Sequence, residues 1–207
     1  MNTPELVDSD VEPDFAVVRA DDPRCRELEA AGYRRVGESW GARLRLPTPQ
    51  GLSRPQAAVG RAQAMGFTVL ELGPAAAEAL HGLETANHPD YPFTPATAHH
   101  LRDPAATRAL WADGARVFGA LDGRLLVGAT AMKRAGRLGE TEFTSVLAEY
   151  RGRGIGQAVK AASILALARD EMVTFGTGGA GLNEASLRAN RALGYVIDER
   201  WRSYRRH

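Results

Sequence analysis

The sequence predicts an α/β chain of the α+β kind, in which strands and helices alternate and a small strand–helix–strand unit precedes the main body. Three observations carry that prediction. Residues 115–121 (ARVFGAL) and 124–133 (RLLVGATAMK) are apolar-rich runs joined by Asp122-Gly123, the dipeptide a tight hairpin turn favours. A strand-like run through Val146 passes by way of Gly152, Gly154 and Gly156 into a helix with Ile155, Val159, Ala162 and Leu165 on one face. An N-terminal stretch repeats the order of strand, helix, glycine and aromatic-bearing strand that also ends the chain.

In chain order, residues 1–14 are acidic and polar and are expected to be a flexible tail. Phe15-Ala-Val-Val-Arg19 reads as a short strand. Asp21-Asp22-Pro23 then starts a helix over roughly 23–31, closed by Gly32, the residue type suited to a left-handed helix end. Residues 33–46 alternate as one or two strands, and Pro47–Pro55 (PTPQGLSRP) marks a domain boundary by its Pro, Gly and Ser content. Residues 15–50 thus form one unit, 51–65 a linker and helix stopped by Gly66, and 66–207 the main domain. That domain opens with a strand over 67–72 and a helix from Gly73-Pro74 to about His88. A bent loop with three prolines (88–95) and a helix over 96–111 follow. After the hairpin come a strand over 139–148, a helix over 154–169, a strand over 173–177, a helix over 184–193 and a strand over 195–205.

Charge and composition exclude several classes of function. Lys+Arg 26 against Asp+Glu 25 gives a net charge of +1, without the basic surplus of a dedicated nucleic-acid or anionic-membrane binder. No apolar run approaches the ~20 residues of a membrane helix, and the acidic N-terminus is unlike a secretory signal. The single Cys25 and the lack of Cys/His zinc spacing predict neither disulfide nor metal. A cytoplasmic protein of a reducing compartment is expected. Nearly all basic residues are Arg, with Lys133 and Lys160 the only lysines, a bias of base composition that strips single arginines of weight unless their position is special.

The chain contains an internal echo. Leu28-Glu-Ala-Ala-Gly-Tyr33 followed by Trp40 resembles Arg191-Ala-Leu-Gly-Tyr195 followed by Trp201. Asp21 precedes Gly32 by eleven residues, as Asn183 precedes Gly194.

The segment richest in chemistry is Val146-Leu-Ala-Glu-Tyr-Arg-Gly-Arg-Gly-Ile-Gly156. Alternate glycines let a backbone approach a ligand and aim successive N–H groups into one concavity, and a helix N-terminus adds partial positive charge. With Arg151 and Arg153 alongside, this is a pyrophosphate cradle. It is not a dinucleotide fingerprint: the spacing is Gly-x-Gly-x-Gly, it lies late in the chain, and no acid ends the next strand. Nor is it a Walker loop, which needs Gly-Lys-Ser/Thr.

These residues resemble the acetyl-CoA signature of the GNAT superfamily of N-acyltransferases, and Asn183-Glu-Ala-Ser-Leu-Arg-Ala-Asn190 leading to Leu193-Gly-Tyr195 resembles that superfamily's second cofactor segment. The likeness covers roughly 66–205. It implies a GNAT-type mixed, mostly antiparallel central sheet flanked by helices, with acetyl-CoA as acyl-donor cosubstrate. The N-terminal unit lacks a cradle and has Leu28 where Asn190 stands, so it is similar to the non-catalytic remnant of a second such domain. The likeness implies the pyrophosphate on the amides of Gly152, Arg153, Gly154, Ile155 and Gly156, with Arg151, Gln157, Asn183 and Asn190 nearby. The pantetheine would run along Thr144, Ser145 and Val146.

Amine acetylation needs a base, because an alkyl amine of pKa ~10 is mostly protonated at neutral pH. Glu140, Glu142, Thr144 and Val146 alternate onto one strand face, and Glu142 lies roughly 13 Å upstream of Val146, a plausible distance to the thioester. Glu140 stands eleven residues before Arg151, where histone-acetylating members of the family keep a catalytic glutamate. Both remain candidates. Where Asn190 stands, many members have a tyrosine that protonates the thiolate; Tyr195 and Tyr204 are the nearby phenols, with Tyr195 the candidate acid. Tyr91, Phe93, His99 and His100 are candidate pocket residues. The acceptor is a small-molecule or peptide amine. The rival readings are a non-catalytic acyl-CoA-binding regulatory module and an interaction protein whose residues 1–50 add strands to a partner, including a homodimer. The same unit can instead complete the C-terminal sheet, since the chain ends after one long strand where the family usually has two.

Overall fold

The computed structural model describes residues 14–46, 49–91, 96–97 and 100–206. The expected tail before residue 14, and Phe93 and His99, lie outside them. The chain runs β1 (Phe15–Arg19), α1 (Arg24–Ala30), β2 (Tyr33–Arg45), α2 (Ser53–Ala64), β3 (Thr68–Leu72), α3 (Ala77–Asn87), α4 (Pro104–Ala112), β4 (Ala115–Asp122), β5 (Leu125–Ala135), β6 (Leu138–Val146), α5 (Ile155–Arg169), β7 (Thr174–Ala180), α6 (Glu184–Leu193) and β8 (Val196–Arg206).

The eight strands make one sheet in the order β1-β8-β2-β7-β6-β5-β4-β3. Every neighbouring pair is antiparallel except β6 and β7, which are parallel because α5 connects them as a crossover. This is the mixed, mostly antiparallel sheet flanked by helices that the GNAT resemblance implies. Within residues 33–46, Tyr33–Arg45 form a single strand of 13 residues rather than two. The helix expected over 96–111 starts at Pro104, because Asp103 Oδ1 accepts the Ala106 N–H at 2.7 Å and proline suits the first helical position.

Side chains alternating on β4 and β5 build a core on each face. Leu80 and Leu83 of α3 and Leu110 of α4 pack on Val117, Ala129 and Ala131. On the other face Ala62 of α2 and Ala158 and Val159 of α5 pack on Ala120 and Val127. A further cluster packs Ile164 and Leu167 of α5 with Trp40, Leu44, Phe175 and Leu193, which joins β2 to the main body.

The Pro- and Gly-rich segment at 47–55 does not interrupt the sheet. β2 lies between β7 and β8, pairing Ser39–Arg45 with β7 and Tyr33–Arg43 with β8. β1 pairs with the far side of β8. Residues 15–45 thus complete the sheet of the main body, filling the place beside a single C-terminal strand.

A cleft where two parallel strands part

β6 and β7 pair only over Leu138–Glu140 and Thr174–Gly176. Beyond that β6 continues to Val146 and β7 to Ala180 without a shared register. The sheet therefore opens as a V with its vertex at Glu140 and Gly176. The opening is a cleft of about 1040 Å³, bordered by β6, the turn into α5, β7, α6 and parts of β2 and β8.

At the wide end lies the glycine turn that the sequence marks as a candidate cradle. Gly152 and Gly154 both have φ +77°, and a side chain there would meet nothing within 4 Å, so the concavity is open. Gly154 precedes α5 without any side-chain cap. The Ala158 N–H donates to Gly154 O at 2.9 Å, so the amides of residues 155–157 precede the first intrahelical donor and have no acceptor in the helix. Uncapped amides at the positive end of a 15-residue helix suit an anion.

Thr144, Ser145, Val146, Arg151, Gly152, Gly154, Ile155, Gly156, Gln157, Asn183 and Asn190 all border this cleft. Arg153 does not: its guanidinium lies over the Tyr150 ring, 5.1 Å from its centroid. Arg151 also turns from the cradle. Its Nε donates to Val146 O (3.0 Å), Nη2 donates to Asn87 Oδ1 (2.9 Å) and Nη1 pairs with Asp90 (2.9 Å). The cradle's positive character thus comes chiefly from amides, with one arginine already paired.

Asn87 Nδ2 in turn donates to Ser145 Oγ at 2.7 Å, and Tyr91 Oη donates to Thr144 O at 3.1 Å. Burial pushes the Tyr91 phenol up to about 12, so it stays a donor at neutral pH. Thr144 O and Val146 O, expected to pair with pantetheine, each accept a side-chain donor and keep a second lone pair. Asn87 escaped the sequence reading, since a lone Asn before His-Pro reads as a helix end. Asn183 Oδ1 accepts the Ser186 N–H at 3.0 Å, capping α6 from the rim of the cleft. His100 is exposed and Tyr204 is buried beside Cys25; neither borders the cleft.

The two glutamates differ at the vertex. β6 bulges: Phe143 stands opposite Ala131 and Thr141 opposite Met132, leaving Glu142 as the extra residue. The simple alternation of Glu140, Glu142, Thr144 and Val146 onto one face is therefore broken, though all four border the cleft. Glu142 is the more exposed, 4.0 Å from Arg102. Glu140 lies against Gly176, where any side chain would displace its carboxylate. Burial raises the Glu140 carboxyl above its ordinary value, while Arg43 and Lys160 pull it down.

Tyr195 is buried at 3% exposure and does not border the cleft. Its hydroxyl approaches Thr141 without ordinary hydrogen-bond geometry, and burial raises its phenol far above the usual value. Lys160, which the sequence reading passed over, does border the cleft. Its Nζ donates to Thr177 Oγ1 at 2.9 Å and Asn190 Oδ1 at 2.7 Å. Its signal was a lysine inside an otherwise apolar helix. Among the described residues no group of three or more His, Cys, Asp or Glu is placed to hold a metal, and no helix is long and apolar enough to cross a membrane.

No protein-family model and no curated protein matches this sequence. Solved structures do resemble it. A GCN5-related N-acetyltransferase from Sphaerobacter thermophilus, 16% identical, superposes with a TM-score of 0.69 over 93% of this chain and 58% of that one. A second from Kribbella flavida is 15% identical at a TM-score of 0.60, over 93% and 67%. A tandem GNAT protein from the clavulanic acid biosynthesis pathway, solved without AcCoA, is 20% identical at 0.60, over 92% and 62%. The chain thus spans 58% of the Sphaerobacter protein's length. With its sheet order, its parted parallel strands and its glycine turn into α5, this chain has the GNAT fold, that of the GCN5-related N-acetyltransferases.

Proposed function

We propose that this protein is an N-acetyltransferase that binds acetyl-CoA in the V between β6 and β7 and acetylates a primary amine of a small molecule or peptide by direct attack in a ternary complex. The observation that carries this reading is that one cleft has an anion cradle at its wide end and a half-buried carboxylate at its vertex. The residues fit the cosubstrate: open glycines and uncapped amides at residues 152–157 would hold its pyrophosphate, and the unpaired length of β6 would lie beside its pantetheine. When bound, acetyl-CoA supplies the activated acetyl thioester.

Glu140 is the base in this reading, because its raised affinity for a proton and its place at the vertex suit removal of the amine proton, directly or through water. Direct attack is supported by the position of Cys25, which is buried against Val18 and Tyr204 outside the cleft. Residues 15–45 are read as the remnant of a second GNAT domain that lends its long strand to the first.

Calorimetry with acetyl-CoA on the wild type and Gly154→Glu tests the binding half. Binding lost in the variant, followed by thiol release with a member of an amine panel, is the expected result. No binding by the wild type sinks the reading, and binding without turnover on any amine favours an acyl-CoA-binding module instead.

A further inference from the structure

Lys160 has no task in the reaction as described above, yet its placement is costly. It sits on α5 one turn past Gly156, beside Val159 and Ala161, and is 5% exposed. Its hydrogen-bond partners, Thr177 Oγ1 and Asn190 Oδ1, are both neutral. Burying an amine on two neutral oxygens is poor economy for packing alone, since an apolar residue would fill the helix without that desolvation.

The position of Nζ is set by the parting strands. Thr177 is the first β7 residue beyond Gly176, the last one paired with β6, so Nζ stands at the vertex. A Cβ on Gly156 would lie 3.4 Å from Val146 and 3.6 Å from Thr144, which places that turn of α5 level with the end of β6. Four residues along the helix is about 6 Å, and two residues back along β6 is about 6.6 Å. Lys160 is thereby level with Glu142 on β6, and its charge acts on Glu140 at the vertex.

The two phenols that border the cleft are committed. Tyr91 Oη is bonded to Thr144 O, and Tyr150 Oη to Asp122 at 3.0 Å. Tyr195 lies behind Lys160, its ring centroid 5.5 Å from Nζ.

We propose that in the acetyl transfer argued above, on which this inference rests, Lys160 Nζ gives the departing sulfur its proton. As the amine nitrogen bonds to the acetyl carbon, the carbon–sulfur bond breaks and its electron pair goes to sulfur. Nζ supplies the proton to that sulfur, and the nitrogen sheds its own to Glu140. One proton then passes through solvent from Glu140 to Nζ, which resets both groups and leaves amide and free thiol as the products.

The surrounding charges permit this. Burial lowers the Lys160 pKa to about 7, partly offset by Glu140 on β6, so the ammonium is a willing donor near neutrality. Tyr195 offers its ring face. Arg43 on β2, Glu142 on β6 and Glu199 on β8 act on Glu140, and Arg188 on α6 is paired outward with Glu184.

The test is titration of the CoA thiol bound to the full-length protein, read by thiolate ultraviolet absorbance, with acetyl-CoA affinity measured alongside. In the wild type the bound thiol is expected to ionise about one pH unit or more below free CoA. In Lys160→Met that lowering disappears while acetyl-CoA still binds. In Asn190→Asp, whose carboxylate holds the Nζ proton, it shrinks, and this variant decides the matter if Lys160→Met fails to fold. With an accepted amine, Lys160→Met should lower kcat roughly 100-fold with little change in KM for acetyl-CoA. A thiol that titrates alike in all three proteins overturns the role of Lys160 alone. Failure of the wild type to bind acetyl-CoA overturns the transfer reading and this inference with it.

Discussion

Gly32 and Gly194 are structural counterparts. Each is left-handed, with φ +86° and +100°, each follows a helix, and each leads through a tyrosine into a long strand. Those strands, β2 and β8, are antiparallel neighbours, with Ser39 opposite Trp201. Outside them β1 pairs with β8 and β7 pairs with β2. The two strand–helix–strand units are therefore related by an approximate two-fold axis between β2 and β8, and each has given its long strand to the other's short one. The internal echo in the sequence corresponds to this exchange.

The exchange predicts that residues 53–207 do not fold alone. Without β2, the edges of β7 and β8 and the pocket around Trp40, 4% exposed, lose their cover. Near-ultraviolet circular dichroism should show lost tertiary packing, recovered when a peptide of residues 14–46 is added. A truncated chain with native-like, cooperative melting would contradict the argument.

Two glycine-to-alanine changes should separate strain from displacement. At Gly154, with φ +77° and open space around it, alanine costs about 1 kcal/mol of stability through its backbone alone. At Gly176, alanine meets the Glu140 carboxylate. Gly154→Ala is expected to lower Tm by a few degrees, whereas Gly176→Ala should chiefly lower turnover. Thermal melts and kinetics on both variants make the comparison.

Glu140→Gln should reduce kcat/KM by roughly 100-fold or more, and Glu142→Gln by much less, because general-base catalysis contributes about that factor. The acid limb of the wild-type profile should lie above the ordinary carboxylate range, since Glu140 must be ionised to accept a proton and burial raises its pKa. Equal losses in the two variants would return Glu142 to consideration.

Stability should rise with pH on account of Lys160. Its folded pKa is about 7 against 10.5 for the ordinary group, so between those values the unfolded chain holds the extra proton. The contribution is flat below about pH 7, grows toward pH 10.5 and is flat above. Urea unfolding at several pH values should show this slope in the wild type and lose it in Lys160→Met.

Local features were legible in the sequence and pairings across it were not. The turn into α5 could be read because its glycines and the following apolar face lie within a few residues. Glu142 as a bulge could not, because a bulge is a relation between β6 and β5, and the sequence shows only the alternation that it breaks. The place of β2 between β7 and β8 depends on partners more than a hundred residues away; the repeat hinted at kinship between the units but not at the exchange. Arg151 and Arg153 looked like phosphate ligands by position, whereas Asn87 and Asp90 from α3 and its following turn, and the ring of Tyr150, claim their guanidinium groups.

The position of β2 also bears on how the molecule comes into being. During synthesis this strand emerges more than a hundred residues before either of its neighbours. Its hydrogen-bonding edges and Trp40 must wait until β7 and β8 have been made. Contacts of such long sequence separation slow folding and prolong the exposure of sticky edges. Completion of the sheet at β2 is then also completion of the cleft, since Trp40, Gly41 and Arg43 border it. A partly made chain carries the cradle but not the finished site.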